Sequence, residues 1–243
     1  MSYRNYLKIG TEEKEKEIYR VMPGYRLLEI FKKKKNTLSK PHLWGDPYEN
    51  FILKGRGRFS NGTLALIGMR DSIYGQCWTI NIESDAMWRI YSPDKNGVKV
   101  RTTIKKLFES LYKAISPRTR DVKCFIGKVE YYKKEEEENL LKKIYITDST
   151  GAGIAETLLF KRRAFSHEKE VRLIYTADKD KAQPEIFQYN INPYELIEQI
   201  VFDPRMNEYL YQLYKESLRK MNFKGRIMKS GLYRPPEKII VQI

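Results

Sequence analysis

Residues 186–202 read IFQYNINPYELIEQIVF, with two apolar runs, 186–191 and 197–202, separated by a turn at Asn192-Pro193. Runs rich in β-branched and aromatic residues that are bounded by turn residues are typical of strands. Strands within hairpin distance of each other favour an antiparallel arrangement, because parallel neighbours need a longer crossover. The stretch therefore predicts an α+β fold with mixed, largely antiparallel sheets and flanking helices, rather than a doubly wound parallel sheet.

Strand-like and helix-like patterns follow one another in irregular order in the rest of the chain. Strands are predicted at residues 18–21, 64–69, 77–80, 98–100, 125–132, 168–175, 226–228 and 239–243. Helices are predicted at residues 27–35, 85–91, 104–115, 133–143, 154–163 and 206–221. Residues 39–51 and 55–57 read as loops, the latter because its glycines lack the spacing of a phosphate-binding loop. No repeat or low-complexity linker divides the chain, so residues 1–243 are predicted to form a single α+β domain.

The net charge of +15 is the most informative bulk property of the 243 residues. Clustered lysines and arginines release counterions when they bind phosphate, so this charge favours nucleic acid, RNA or DNA, as a partner. The contact candidates are Lys32, Lys33, Lys34, Lys35, Lys161, Arg162 and Arg163. Each block also suits a solvated helix end, and high charge can serve solubility alone.

Several classes of protein are disfavoured by what the sequence lacks. No run of about eighteen apolar residues occurs and the charged N-terminus has no signal-peptide core, so a cytoplasmic protein without membrane contact is expected. Cys77 and Cys124 are the only cysteines, and His42 and His167 the only histidines. These numbers favour reduced thiols and predict no metal site. Chemistry in this chain must rest mostly on carboxylates, hydroxyls, arginines and aromatic rings.

Glu168, Glu170 and Arg172 occupy alternate positions in the predicted strand 168–175. In a strand, alternate side chains share a face, about 7 Å apart. Two carboxylates at this spacing can orient a hydroxyl and stabilise a cationic transition state, while the arginine keeps them ionised or holds a phosphate. Two alternatives stay open at this point: a solvated strand face with ion pairs, and a metal-dependent nuclease, for which the sequence offers only a faint E-x-K pattern.

Ordered motifs in the first three quarters of the chain resemble a bacterial family of unknown function whose members often lie among phage-defence genes. The matching segments are Tyr19-Arg20, residues 44–49 (WGDPYE), Cys77-Trp78-Thr79, residues 87–91 (MWRIY), Gly97-Val98 and residues 165–172 (FSHEKEVR). Residues 201–206 and Lys229-Ser230 show a weaker resemblance to the same family. Gly45, Thr79 and Val171 stand where that family has asparagine, serine and tryptophan.

The order of these motifs is also similar, more weakly, to mono-ADP-ribosyltransferases of the Arg-Ser-Glu type, which implies an ADP-ribosyltransferase-like fold and NAD as substrate. The resemblance implies that Arg20 contacts the pyrophosphate or the nicotinamide ribose and that Thr79 braces the ribose and a carboxylate. It further implies that Glu170 hydrogen-bonds a ribose hydroxyl and that Glu168 orients or deprotonates the acceptor. Tyr19, Trp88 and Tyr91 would complete the NAD site, although an aromatic pair on a short helix is also typical of a core.

The leading hypothesis is an NAD-dependent mono-ADP-ribosyltransferase-like toxin or phage-defence effector that modifies RNA or DNA, with protein as the fallback acceptor. An antitoxin or other neutralising protein would fit as a partner. The competing hypothesis is a non-enzymatic nucleic-acid-binding or regulatory module, in which Glu168, Glu170 and Arg172 form an ion-pair ladder.

Overall fold

The computed structural model of the chain describes residues 5–46, 48, 55–58, 64–66, 72–116, 123–142, 150–177 and 184–236. Its α-helices are Gly24–Lys33 (α1), Asp85–Tyr91 (α2), Ile104–Ile115 (α3), Glu137–Lys142 (α4), Ala152–Thr157 (α5), Pro193–Leu196 (α6) and Glu208–Lys220 (α7). Short 3-10 helices cover Thr11–Glu13, Pro41–Leu43, Lys134–Glu136 and Arg163–Glu168. Within these residues no helix combines the length and the apolar character needed to cross a membrane.

The described strands fall into one large sheet and two small ones. They are Tyr6–Leu7 (β1), Glu17–Pro23 (β2), Lys35–Ser39 (β3), Arg56–Arg58 (β4), Leu64–Leu66 (β5), Ile73–Thr79 (β6), Gly97–Thr103 (β7), Cys124–Lys128 (β8), Glu130–Tyr132 (β9), Phe160–Arg162 (β10), Glu170–Thr176 (β11), Ile186–Asn190 (β12), Gln199–Phe202 (β13) and Arg226–Lys229 (β14). The large sheet has the order β1-β8-β11-β6-β2-β7-β13-β14. In addition, β3 pairs with β6, and β12 pairs with β3. Most of its pairs are antiparallel, which confirms the predicted α+β class.

The large sheet forks at β6. On one edge β6 pairs along its whole length with β11. On the other edge it meets β2 at Thr79 and β3 at Gly75. β2 and β3 therefore part from each other beside the middle of β6, and a cleft opens between them.

Two apolar clusters cover the faces of the sheet. The larger contains α1 and α3 residues such as Leu27 and Leu107 packed on Leu173, and the smaller contains Leu158 of the α5 segment packed against Ile174. Because side chains alternate along a strand, Glu170 and Arg172 leave β11 on the same face as Ile174. The polar residues of β11 are thus directed into the side of the sheet that the smaller cluster covers.

The two strands predicted within residues 186–202 exist, but they do not pair with each other. β12 pairs with β3, whereas β13 pairs with β7 and β14. Their connection holds the short helix α6, which Asn192 caps by accepting a hydrogen bond from the Tyr194 amide. The hairpin argument was therefore wrong, although the fold class that it supported is correct.

Three other local predictions differ from the structure. The helix predicted at 154–163 ends at Thr157, because residues 160–162 form β10 in parallel pairing with β9. Residues 55–57 were predicted to be a loop, but residues 56–58 form β4 and pair with β5. Strand β3 lies where the sequence predicted a helix end and a loop. The predictions for Glu49, residues 67–69 and residues 239–243 lie outside the described residues.

Candidate active site

The cleft at the fork of the sheet has a volume of about 430 Å³, in the range of small-molecule sites. β2, β3, β6 and β11 form its walls, and α2 and the segment around Phe165 close its sides. Arg20, Thr79 and Glu170, the three residues that the sequence predicted to converge, all line it. The geometry needed for a shared site is therefore present.

Three adjacent strands place Tyr19, Thr79 and Glu170 side by side. Tyr19 of β2 pairs with Thr79 of β6, and Thr79 pairs with Glu170 of β11. Directly opposed residues point to the same face of a sheet. Arg20 follows Tyr19 and leaves β2 on the other face, yet it lines the cleft because β2 has parted from β3 there.

Two carboxylates and two cations form a buried cluster in the cleft wall. The Lys161 ammonium contacts the Glu168 carboxylate and lies 2.6 Å from Glu170 Oε1. Arg172 Nε donates to Glu170 Oε2 at 2.6 Å, and its Nη1 donates to the Leu158 carbonyl at 2.8 Å. All four of these charged side chains are buried. The alternative of a solvated strand face with an ion-pair ladder is therefore wrong.

Glu168 reaches this cluster from outside the strand, so the predicted row of three residues on one strand is wrong. Glu168 ends the 3-10 helix Arg163–Glu168, and Lys169 follows with a φ of 43°. β11 begins only at Glu170. The left-handed residue turns the chain between the two glutamates, which lets both carboxylates meet Lys161.

Thr79 braces the backbone that carries Glu168. Its Oγ1 donates to the Glu168 carbonyl at 2.5 Å and accepts from the Asn81 amide at 3.0 Å. Asn81 Nδ2 also donates to the His167 carbonyl at 2.6 Å. The hydroxyl of Thr79 thus supports a carboxylate-bearing loop, and its proton is already engaged there rather than free for a ribose.

The two carboxylates have opposite electrostatic character. Burial, followed by the neighbouring Glu170, raises the pKa of Glu168 to about 7, although Lys161 opposes the shift. Burial alone would also raise the pKa of Glu170, but Arg172, the hydrogen bond with Glu168 and, to a smaller extent, Lys161 outweigh it and hold that pKa far below its usual value. Glu168 is therefore the carboxylate that can exchange a proton near neutral pH, whereas Glu170 stays ionised.

Arg20 is a cation without a protein partner in the described part of the chain. No hydrogen bond or ion pair to a described residue holds its guanidinium, and Cys77, Tyr189 and Arg26 are the groups close enough to influence it. Burial lowers the pKa of Arg20, as expected for a charge withdrawn from water. A half-buried, unpaired guanidinium at a cleft is a ready site for an anion.

Trp44 and Phe165 give the cleft an aromatic lining that sequence reasoning did not single out. Trp44 Nε1 donates to Ser39 Oγ at 3.0 Å, and the Arg172 guanidinium stacks 4.8 Å from its ring centre. A Cβ at Gly75 would lie 2.6 Å from the Trp44 ring, so glycine is needed for this packing. The WGDPYE motif was the available signal for Trp44.

Of the three aromatic residues predicted to bind NAD, two line the cleft and one lies in the core. Trp88 is 1% exposed and is absent from the cleft walls, so it is a core residue, and its assignment to the NAD site is wrong. Tyr91 lines the cleft and donates its hydroxyl to Glu168 Oε1 at 3.0 Å. Tyr19 also lines the cleft, with its hydroxyl donated to Glu17. Tyr91 and Tyr19 remain candidates for contact with a ligand.

Polar anchors fix both ends of α2, the helix that carries Tyr91. At its start, the Glu83 carboxylate accepts from Trp88 Nε1 at 2.8 Å and from Ser230 Oγ at 3.1 Å. At its end, Ser92 Oγ donates to Asp203 at 2.6 Å. Asp203 and Ser230, which belong to the two weakly matching segments 201–206 and 229–230, thus hold the helix in place, whereas Lys229 contacts Glu208 of α7.

The basic residues predicted to contact nucleic acid fall into two exposed groups and one exception. Lys32–Lys35 are exposed at the end of α1 and the start of β3, whose Thr37 and Ser39 line the cleft. Arg162 is partly exposed and Arg163 exposed beside the cleft residue Phe165. Lys161 is buried with Glu168 and Glu170, so its predicted role in phosphate contact is wrong.

The described residues contain no group of three or more histidine, cysteine, aspartate or glutamate side chains arranged to hold a metal ion. Glu168 and Glu170 lie close together, but lysine and arginine already occupy their oxygens. The cluster is thus suited to electrostatic and proton-transfer work by the carboxylates themselves.

Comparison with known proteins gives one family match and several structural likenesses. The family described as "Protein of unknown function (DUF2971)" matches residues 87–173, about a third of the chain. No curated protein sequence matches. Solved structures of DarT from Thermus sp. 2.9 are similar at 12% identity with carba-NAD+ (TM-score 0.37) and with NAD+ (TM-score 0.39), each over 89% of this chain and 96% of that chain.

A third DarT structure, in complex with ADP-ribosylated ssDNA, is similar at 11% identity with a TM-score of 0.39, over 92% of this chain and 97% of that chain. These TM-scores are too low to establish a shared fold. The family match over residues 87–173 covers most of α2, Lys161, both glutamates of the cluster and Arg172, and so includes part of the cleft described above.

Proposed function

We propose that the chain is an NAD-dependent mono-ADP-ribosyltransferase that modifies nucleic acid, RNA or DNA, with protein as the fallback acceptor. The observation that carries this proposal is the charge arrangement of one cleft, with the unpaired Arg20 guanidinium on one side and the Glu168 and Glu170 carboxylates on another. NAD offers the complementary pattern, since its pyrophosphate is anionic and its nicotinamide riboside is cationic.

Each side chain has a role that follows from its environment. Arg20 binds the pyrophosphate by charge-assisted hydrogen bonds. Glu170, held ionised by Arg172, stabilises the positive charge that develops at the ribose carbon when its bond to nicotinamide breaks and nicotinamide leaves with the electron pair. Glu168, with a pKa raised by burial to about 7, accepts the proton that the acceptor loses as it bonds to that carbon.

The support for a nucleic-acid acceptor is the distribution of basic residues. Lys32–Lys35 lie at one end of β3, and the other end of β3 lies on the cleft. Arg162 and Arg163 lie beside the cleft residue Phe165. A strand of phosphates that contacted both groups would pass the carboxylates, and a charge of +15 favours such a partner.

We further propose a cytoplasmic toxin or antiviral defence effector as the setting, with an antitoxin as a neutralising partner. The resemblance of the motifs to a family found among phage-defence genes is the support. Expression in bacteria is expected to arrest growth, and Glu170→Gln is expected to relieve the arrest. Growth arrest that is equal for the wild type and Glu170→Gln would contradict a toxic enzymatic activity.

The test of the enzymatic proposal is incubation of the protein with NAD labelled in its adenylate half, in separate reactions with RNA, DNA and protein pools. We expect label transfer to one nucleic-acid pool, with a loss of at least about a hundredfold in Glu170→Gln and none in Glu216→Gln, an exposed residue of α7. Salt-sensitive nucleic-acid binding without transfer would support the non-enzymatic binding module instead.

A further inference from the structure

Lys161 is a buried lysine whose ammonium lies between two glutamates. Its residue is 7% exposed, and its Nζ contacts Glu168 and, at 2.6 Å, Glu170. The Phe165 ring centre lies 4.7 Å from the same atom. The roles given above to Arg20, Glu168 and Glu170 do not use this side chain.

The local chain path explains how one ammonium meets both acids. β10 pairs with β9 and carries Lys161 at its centre, paired with Tyr131. The 3-10 helix Arg163–Glu168 then returns the chain so that Glu168 faces Lys161, and Glu170 follows at the start of β11. Tyr131 also accepts a hydrogen bond from the Glu170 amide at 2.8 Å. The segment from β10 to β11 is thus folded around the ammonium.

The charges of the cluster show why a cation is needed there. Two desolvated carboxylates in one wall repel each other, and without compensation one of them takes up a proton. Arg172 contacts Glu170, and Lys161 contacts both carboxylates. Among the described residues, the titratable or charged groups near Lys161 include Glu168, Glu170, Arg172, Tyr91 and Tyr131.

We propose that Lys161 is a positioning residue that holds Glu168 and Glu170 side by side in the cleft wall and offsets their mutual repulsion. This inference rests on the proposed function for its catalytic consequence. A lysine suits the task, since its ammonium is a compact charge with several donors that can reach two carboxylates from one atom. Removal of the charge would leave Glu168 protonated at neutral pH and unable to accept a proton.

The first test follows the carboxylates directly and needs neither NAD nor acceptor. Glutamate side chains are labelled with ¹³C and titrated by NMR, with the Glu168 and Glu170 signals assigned from Glu168→Gln and Glu170→Gln. Loss of an adjacent cation is expected to move the Glu168 midpoint in Lys161→Met upward by about 1 to 3 pH units. Lys161→Arg, which keeps the charge, is expected to stay near the wild type, and so is Lys220→Met, an exposed control on α7.

The second test is the pH dependence of label transfer. In Lys161→Met the acid limb of kcat is expected to move upward by the same interval, so that activity lost at neutral pH returns at higher pH, with little change in KM for NAD. A merely structural role would instead reduce kcat equally at every pH.

Two results would overturn the proposal: a Glu168 midpoint in Lys161→Met equal to that of the wild type, or a Lys161→Arg midpoint displaced as far as that of Lys161→Met. If Lys161→Met does not fold, a Glu168 midpoint in Lys161→Arg at least about 1 pH unit above that of the wild type overturns the proposal, and a midpoint near that of the wild type supports it. If the wild type transfers no label, the proposed function fails, while the carboxylate titration still confirms or refutes the role of Lys161 in the cluster.

Discussion

At the scale of single residues, two glutamates two positions apart differ because their neighbours differ. Glu170 has Arg172 and Lys161 on its two oxygens and stays ionised, while Glu168 has Lys161 and the neutral Tyr91 hydroxyl. Chemistry that needs a fixed negative charge and a proton acceptor can thus be divided between them. Environments that separate two pKa values in this way assign the roles of acid and base.

The raised pKa of Glu168 predicts a pH dependence of stability. Because its folded pKa of about 7 lies above the usual 4.5, the contribution of this group is full below 4.5 and is lost as pH rises to about 7. Glu168→Gln stays neutral, so its melting temperature is expected to fall less than that of the wild type between about pH 5 and about pH 8. Differential scanning fluorimetry measures this, with Glu216→Gln as control. Parallel curves of melting temperature against pH for all three proteins would refute the raised pKa of Glu168.

Arg20 predicts a separation of binding from stability. Loss of charge-assisted hydrogen bonds to phosphate costs about 1.5–3 kcal/mol, so Arg20→Met is expected to weaken NAD binding by about ten- to a hundredfold. No described residue pairs with this guanidinium, so the melting temperature is expected to be unchanged or higher. Calorimetric titration with NAD, beside Arg226→Met on the exposed edge strand β14, checks the first part. Unchanged NAD affinity would contradict the assignment.

At the scale of elements, the helix α2 is the part of the cleft wall that depends on distant support. Ser92 accepts a hydrogen bond from the Gly97 amide and donates to the fully buried Asp203. Arg205 adds hydrogen bonds to the carbonyls of Trp88 and Ser92 at 2.9 Å. These bonds join α2 to β7 and to the segment after β13, so Tyr91 keeps its contact with Glu168 only while they hold.

Ser92→Ala is therefore expected to act at a distance from the cleft. It leaves the buried Gly97 amide without its acceptor and removes one donor from Asp203, which keeps its hydrogen bonds from Arg205. The loss of unfolding free energy is expected to be about 1–3 kcal/mol. Hydrogen exchange is expected to quicken first within residues 85–91. Ser217→Ala on α7, which removes only a bond to a carbonyl in the same helix, is the matched control. Equal effects of the two substitutions would refute the anchoring role.

The elements with a strong periodic pattern were predictable from the sequence. Residues 104–115 form the predicted helix, and Thr103 caps it by accepting from the Lys106 amide. The structure of residues 154–163 could not be predicted in this way, because an apolar run around Leu158 and Leu159 fits a helix as well as a strand. Residues 160–162 are a strand because they pair with β9. Lys161 is buried because of that pairing. Local sequence patterns do not show the pairing, so they predicted that Lys161 is exposed.

Motif order named Arg20, Thr79 and Glu170, and all three line the cleft. Their roles in a site stay predictions, and the geometry of the cleft could not be predicted from the sequence. The position of Glu168 depends on a left-handed Lys169, a conformation that no sequence pattern indicates for lysine. The fork of the sheet depends on long-range pairing of β6 with β2 and β3.

At the scale of the whole molecule, two groups of basic residues adjoin elements that line the cleft. Lys32–Lys35 lead into β3, and Arg162 and Arg163 precede the lining residue Phe165 in the chain. Phosphate-binding surfaces on both sides of an active cleft can hold a strand across it. That residues 1–243 form one domain stays a prediction.

This arrangement predicts which lysines control nucleic-acid binding. The double substitution Lys32→Gln with Lys35→Gln is expected to reduce the slope of log affinity against log salt by about 1.4–1.8, the value for two lost phosphate contacts. Lys220→Gln with Lys224→Gln removes the same charge from the end of α7 and beyond it, and is expected to change the slope little. Fluorescence anisotropy across a salt series checks both. An equal decrease of the slope in both double variants would show that net charge, and not these particular lysines, controls the binding of nucleic acid.

The most direct measurement of the central claim is a crystal structure of Glu170→Gln soaked with NAD. The account predicts NAD in the forked-sheet cleft, with its pyrophosphate within hydrogen-bonding distance of Arg20 and its nicotinamide ribose against Glu168 and residue 170. NAD bound instead in a separate cavity of about 810 Å³, lined in part by residues of α3 and α6, would contradict this expectation. So would a cleft that stays empty at saturating NAD while the protein is folded.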